Sequence, residues 1–285
     1  MKRICLLTLL VVICTSFKTT YHLKIIDLDY AIQQQMIQYT VIGTLDSPHY
    51  IKPISITLEN KHGNNFLLKI PSGYTFTSKD TTYQDIIITK EEVIAVTKNK
   101  PITRDLYGMC IQKYQSAPNE EIEYTANGIT KGKLNQIAKE IEHQNEHSIL
   151  GQHAIWNITD DSTLYDIAGY ESTDGASLRD FTADLLNVPR IKIEDINEER
   201  NIISKRTVGG NFRYNFPYTS SVTIGMFNAQ DIIVKELFHN PNTPAGEHHL
   251  AYEFDASIYP DDTYYIRLIV NEKIKINFEM KPRGS

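Results

Sequence analysis

Positive charge is what this 285-residue chain has too little of: 29 Lys and Arg stand against 35 Asp and Glu, a formal net charge of −6. No basic stripe runs anywhere along it. A nucleic-acid partner is thereby excluded, because affinity for a phosphate backbone is carried by clustered Lys and Arg. Cysteine is almost missing as well, with Cys5 and Cys14 close to the N-terminus and Cys110 alone in the remainder. No intramolecular disulfide can then brace the folded part, and an unpaired thiol in an exported protein tends to be buried, shared with another chain or chemically committed. No stretch approaches the roughly 20 apolar residues that a transmembrane helix needs. There is no Gly-x-Ser-x-Gly elbow, P-loop or dinucleotide fingerprint, and neither repeats nor low-complexity segments occur. On these absences the chain is expected to bind rather than turn over a substrate, with no cofactor and no metal.

What is present describes a folded globular protein, 41% hydrophobic and 22% charged, long enough for about two domains. The N-terminus reads as a signal peptide over residues 1–19. Lys2 and Arg3 precede an apolar run from Leu6 to Ile13, and small polar Thr15 and Ser16 follow, the order of a charged, an apolar and a processing region. The expected location is therefore secreted or at the cell surface. Val11-Val12-Ile13-Cys14 has the outline of a lipobox, but Ile13 occupies the place of a Gly, Ala or Ser, which disfavours a lipid anchor at Cys14. Loss of Lys2 and Arg3 with the signal takes the formal charge from −6 to −8, and to −9 where Lys18 goes with them.

From Met36 to Ile111 the pattern is that of short strands, Gln38–Ile42, Ile54–Leu58, Phe66–Ile70, Ile86–Thr89 and Val93–Val96, with turn formers such as Lys61-His62-Gly63-Asn64 between them. That alternation predicts a β-sandwich or barrel. The period changes after Pro118. Leu134, Ile137, Ala138 and Ile141 fall at i, i+3, i+4 and i+7, predicting a helix over about Lys133–His147. A second helix is expected from Ser148 or Gly151 onward, and a third after Asp174-Gly175-Ala176-Ser177, with Asn187 near its stop. The chain thus divides into a β domain over 20–187 with a helical insertion inside 131–187, a charged linker at 188–203, and a second strand-rich domain over 204–285. In the last of these, short strands with turns every 8 to 12 residues point to an immunoglobulin-like sandwich.

Two segments of the first domain carry the chemistry worth weighing: Leu106-Tyr107-Gly108-Met109-Cys110-Ile111, and Gly151-Gln152-His153-Ala154-Ile155-Trp156 with the only tryptophan. They resemble the two motifs of bacterial thioester domains, surface adhesin modules with a β core and a helical portion. The resemblance implies Cys110 as the thiol, Gln152 as the acyl donor, and Ala154, Ile155 and Trp156 as an apolar wall. Gly151 stands where that family has Thr, and Met109 where it has an aromatic residue. The second domain, through Phe212–Pro217, Val222-Thr223-Ile224, Ile233–Leu237, Ala245–His248 and Tyr264–Leu268, resembles the FlgD-like immunoglobulin module and the similar type IX sorting domains, with Asp261-Asp262-Thr263 where a Gly is usual. These likenesses imply an adhesion protein that bonds covalently to an amine on a protein or glycan surface, followed by a spacer or sorting module.

A thioester forms from a cysteine and a glutamine only if the fold holds sulfur against the carboxamide carbon and excludes water, an orientation worth about 7–11 kcal/mol of barrier. His153 is the candidate base, although adjacent helix residues point about 100° apart. The plainer alternative makes Cys110 a small buried hydrophobe at a strand end and Gln152 a helix-start packing residue, leaving a non-covalent binding protein. His143 and His147, four residues apart beside Glu142 and Glu146, are expected on the solvated side of their helix, opposite the apolar face set by Leu134, and Gln144 stands where a zinc-protease helix has Glu. Asp160-Asp161 and Asp261-Asp262 read as turns and caps. Asn157-Ile158-Thr159 spells a glycosylation triplet on an expected helix.

Overall fold

The computed structural model describes residues 23–160, 162–200, 207–256, 259 and 263–280. The expected signal peptide, Cys5, Cys14, Asp161, Asp261 and Asp262 lie outside them. In chain order the first half runs β1 (Ile25–Asp27), α1 (Leu28–Gln33), β2 (Ile37–Gly43), β3 (Ile54–Asn60), β4 (Phe66–Ile70), β5 (Tyr74–Ser78), β6 (Ile86–Ile88), β7 (Glu92–Val96), β8 (Ile102–Leu106), β9 (Gly108–Cys110) and β10 (Glu123–Ile129). Seven of these strands pair in the order β8-β3-β2-β10-β5-β6-β9, while β1, β4 and β7 form a smaller sheet in which β1 runs parallel to β4.

The two outermost strands of the large sheet are neighbours in sequence. Only Tyr107 separates β8, which pairs with β3, from β9, which pairs with β6. One stretch of chain therefore serves both edges, and the sheet curls into a nearly closed barrel, which leaves few unpaired edge groups. Gly108 sits at the crossing, where a Cβ would lie 2.8 Å from Ile86 Cγ2 and 3.0 Å from the Ile87 carbonyl oxygen. The strands meet this closely because residue 108 has no side chain.

The helical insertion follows as α2 (Gly132–Gln144), α3 (Ile149–Thr159) and α4 (Ala176–Leu186), with α5 (Ile193–Arg200) inside the stretch 188–203. Ile137, Ala138 and Ile141 are the buried stripe of α2. The helix stops before His147, because Asn145 turns left-handed (φ 55°) and Glu146 N–H closes back on the Ile141 carbonyl. Ser148 then opens α3, its Oγ accepting the Leu150 N–H at 3.0 Å, a hydroxyl cap of the preferred type. Asn187, also left-handed, ends α4.

The second half is β11 (Thr207–Phe216), β12 (Ser220–Phe227), β13 (Ile233–Thr243), β14 (Gly246–Asp255), β15 (Tyr264–Val270) and β16 (Lys273–Met280). A pair β11-β14 and a four-stranded sheet β13-β12-β15-β16 enclose a core that includes Phe212, Phe216, Leu250, Phe254 and Ile266. The fold is thus mostly β, a barrel-like domain with inserted helices and then a sandwich. Asn240-Pro241-Asn242-Thr243 has the composition of a loop but continues β13. Pro241 is tolerated there because β13 is an edge strand with a register shift at that point, where a missing N–H costs little.

The two halves share packing. Phe227, Ile232, Ile233 and Ile269 of the sandwich belong to the apolar core of the barrel half. Ala117 N–H donates to the Gln230 carbonyl (3.0 Å) and Ile274 N–H to the Asp46 carbonyl (2.9 Å). Lys52 pairs with Glu272 at 2.5 Å, and the Tyr107 hydroxyl donates to the same carboxylate.

Candidate functional site

Cys110 ends β9, and α3 packs directly on that strand. β9 is the last strand of its sheet, so one side of it has no strand partner. The Gln152 side chain fills the place of one. Its Oε1 accepts the Cys110 N–H at 2.9 Å and its Nε2 donates to the Cys110 carbonyl at 2.7 Å. The carboxamide carbon, bonded to both of those atoms, is pinned across from the Cα that carries the thiol. Cys110 and Gln152 are each 0% exposed, so the pair is held together out of water.

Gly151 and Met109, the residues flanking this pair, fit one another. A Cβ at position 151 would lie 2.5 Å from Met109 Cε and 2.3 Å from the Glu146 carbonyl oxygen. The methionine thus lies against the bare Cα of Gly151, and α3 approaches β9 across that contact. The two departures from the thioester motif noted in the sequence are one packing event.

A third residue, His49, was not legible as part of the site, since a lone histidine in Pro48-His49-Tyr50 carries no local signal. Its carbonyl accepts from Cys110 Sγ at 3.5 Å. Its ring stacks on Trp156 (centroids 5.9 Å apart, planes at 20°) and stands edge-on to Phe227 of the sandwich. Its Nε2 accepts the Ile233 N–H at 2.9 Å. A neutral ring that accepts at Nε2 carries its proton on Nδ1. Neutrality is secured by burial, then by the charge of Arg267, which together lower the His49 pKa to about 3.

His153 and Trp156, one and four residues beyond Gln152, complete the cluster. His153 meets Trp156 edge-on at 5.5 Å, and burial lowers its pKa to about 4, so it is an unprotonated imidazole at neutral pH. It makes no hydrogen bond to Cys110 or Gln152 among the described residues. The Trp156 side chain is fully buried. Among the described residues, His49 Nδ1, His153 Nδ1, Trp156 Nε1, Asn157 Oδ1 and the Tyr124 hydroxyl are buried without a hydrogen-bond partner. Buried unpaired polar atoms cost about 1–3 kcal/mol each and are scarce in purely structural cores. Burial also drives the Cys110 thiol well above its ordinary pKa; the resting sulfur is a thiol, and any attack on the carboxamide needs a base to take its proton as the bond forms.

The other sequence candidates fall apart. His143 is exposed on α2, whereas His147 lies past its end, tilted onto the Tyr107 ring at 4.8 Å with Thr89 Oγ1 3.3 Å from its Nδ1. The expectation of a shared solvated face fails for His147, since Asn145 has already broken the helix. Among the described residues no three His, Cys, Asp or Glu side chains converge as metal ligands. Asn157 is buried, its Nδ2 donating to the carbonyls of His153 and Thr163. No helix is long and apolar enough to cross a membrane among the described residues. Family models, curated proteins and solved structures alike give no match to this chain.

Proposed function

We propose that this is an exported surface or extracellular adhesion protein in which Cys110 and Gln152 condense into an internal thioester, the C-terminal sandwich being a FlgD-like spacer or sorting module. The observation that carries the reading is the two-point seating of the Gln152 carboxamide on the backbone of Cys110, with both residues fully buried. The chemistry balances without any outside reagent. Sγ attacks Cδ, the C–N bond breaks, the thiol proton leaves with the departing amide nitrogen, and one ammonia is released. His153, adjoining Gln152 in α3, unprotonated and with Nδ1 unpaired among the described residues, is the candidate base to relay that proton. The resulting acyl group is spent once, on an amine of a protein or glycan surface ligand, so the protein is a covalent binder rather than an enzyme. The unpaired polar atoms around Trp156 favour this over a core built for packing alone.

A second reading has its own support. Two satisfied backbone bonds are also what a simple edge cap for β9 would make, leaving a non-covalent binding protein. Intact mass of the mature chain separates them. The thioester reading expects a deficit of one ammonia, replaced by a methylamine adduct on treatment with that amine and absent from Cys110→Ala. A full-mass chain with a free thiol overturns it.

A further inference from the structure

The geometry points to His49 as a positioning residue through which the C-terminal sandwich becomes part of the thioester centre. The inference rests on the thioester reading and adds a component to it that neither sequence motif contains.

One residue links three parts of the molecule. Through its backbone, His49 receives the thiol: Cys110 Sγ lies 3.5 Å from its carbonyl oxygen. Through its ring it covers Trp156, one helical turn from Gln152 on the same face of α3. Through Nε2 it takes the Ile233 N–H of β13, at the end of the turn that follows Phe227. That turn is itself built to hold its shape. Asn228 Oδ1 accepts from the N–H groups of Gln230 and Ile232, and Gln230 in turn receives the Ala117 N–H through its carbonyl. Phe227, Ile232 and Ile233 are all within the barrel-side core.

The consequence is mechanical. Residue 49 sits in the connection between β2 and β3, outside any strand ladder; backbone bonds hold that connection on either side of it, Ile274 N–H to the Asp46 carbonyl and Gly108 N–H to the Ile51 carbonyl, and the tie through its ring fixes residue 49 itself. The tie comes from the sandwich. With Nε2 occupied by Ile233 N–H, the ring can neither turn over nor act as the base for the thiol, and its Nδ1–H is presented as a buried donor with no partner among the described residues. His49 therefore orients and His153 is left as the base. The sandwich is then a structural component of the bond-forming site as well as whatever spacer it provides.

Full-length wild type, His49→Ala and His49→Gln are compared by intact mass and by the rate of methylamine incorporation. The glutamine Oε1 reaches the position of Nε2 and can accept the Ile233 N–H, whereas alanine cannot. The expected result is at least a tenfold slower appearance of the ammonia-deficient species in His49→Ala and recovery of most of that loss in His49→Gln. Undiminished thioester in a folded His49→Ala chain overturns the role while leaving the thioester itself intact. A wild-type chain with no ammonia deficit overturns the thioester reading and this role with it. Should His49→Ala fail to fold, long-range 1H–15N spectra of the wild-type and Cys110→Ala chains decide. A proton on Nδ1 of His49 in both supports the tie to Ile233, and a proton on Nε2 overturns it.

Discussion

Gly151→Ala is the sharpest single perturbation of the site, because two opposing effects are both calculable. In the interior of a helix, alanine is favoured over glycine by about 1 kcal/mol, so a tolerant position would be stabilised. Position 151 is not tolerant: the added methyl would sit 2.3 Å from the Glu146 carbonyl oxygen and 2.5 Å from Met109 Cε. Met109 Cε is the end of a flexible side chain, but the residue is fully buried, so it shifts only against other core side chains. Glu146 is backbone, and its own N–H is committed to the Ile141 carbonyl at the end of α2, so the oxygen moves only if that helix end loosens. Overpacking of one such contact costs about 1–3 kcal/mol. Two contacts at that cost, less the propensity gain, give a net loss of about 1–5 kcal/mol, with about 2–4 °C in Tm for each kcal/mol in a chain of this size. Urea denaturation of the two chains measures it. Met109→Ala in the Gly151→Ala background should relieve the side-chain clash and leave the backbone one, giving a coupling of about 1 kcal/mol between the two changes. A Gly151→Ala chain as stable as wild type would refute the claim that α3 meets β9 through a bare Cα.

Other outcomes follow from the same contacts. His49 and His153 are held neutral in the folded chain, with pKa values of about 3 and about 4, while in the unfolded chain they take up protons near 6.5. The unfolded state thus binds more protons below that value, and stability falls as pH is lowered from about 6.5 toward 4, with a ceiling of about 2 kcal/mol per histidine at pH 5; urea midpoints at pH 7.5 and 5 that coincide would contradict it. The fully buried Trp156 should emit in the blue and resist acrylamide, and a solvent-like spectrum from the folded chain would show that the cluster around it is open. Glu272→Ala removes the acceptor shared by Lys52 and Tyr107. Since both members of the ion pair are partly exposed, the loss should be about 1 kcal/mol, and a double-mutant cycle with Lys52→Ala that shows no coupling would assign that pair no part in holding the halves together.

Much of the scaffold was written locally. Strands Ile54–Asn60 and Phe66–Ile70 announce themselves by β-branched and aromatic runs between turns, and α4 by its apolar spacing and the Asn187 stop. Long-range consequences were not written that way. Nothing in Leu106-Tyr107-Gly108 says that one segment will leave one edge of a sheet and join the other, because closure depends on how the remaining strands twist and order themselves. α2 ends before His147 for a local reason: the apolar pattern stops at Ile141 and the polar run after it marks no boundary, which the left-handed Asn145 then sets.

The site divides along the same line. Cys110 and Gln152 could be named from motifs, yet what joins them is the docking of α3 on the free side of β9, a tertiary event that the apparent motif defects at 109 and 151 in fact enable. Either change alone would look like decay of the pattern. A threonine at 151 would collide with Met109, and a rigid ring at 109 in place of the methionine would meet Gly151 differently, so the two positions have to be read together. His49 lay beyond any such reading, since its role comes from a turn more than 180 residues away. A residue whose backbone touches the sulfur while its ring is gripped by the other half of the molecule couples the surroundings of Cys110 to the docking of the sandwich. On the thioester proposal, a change that loosens the sandwich from the barrel should therefore slow loss of ammonia from the chain, read by intact mass, even when Cys110, Gln152 and their neighbours in sequence are kept.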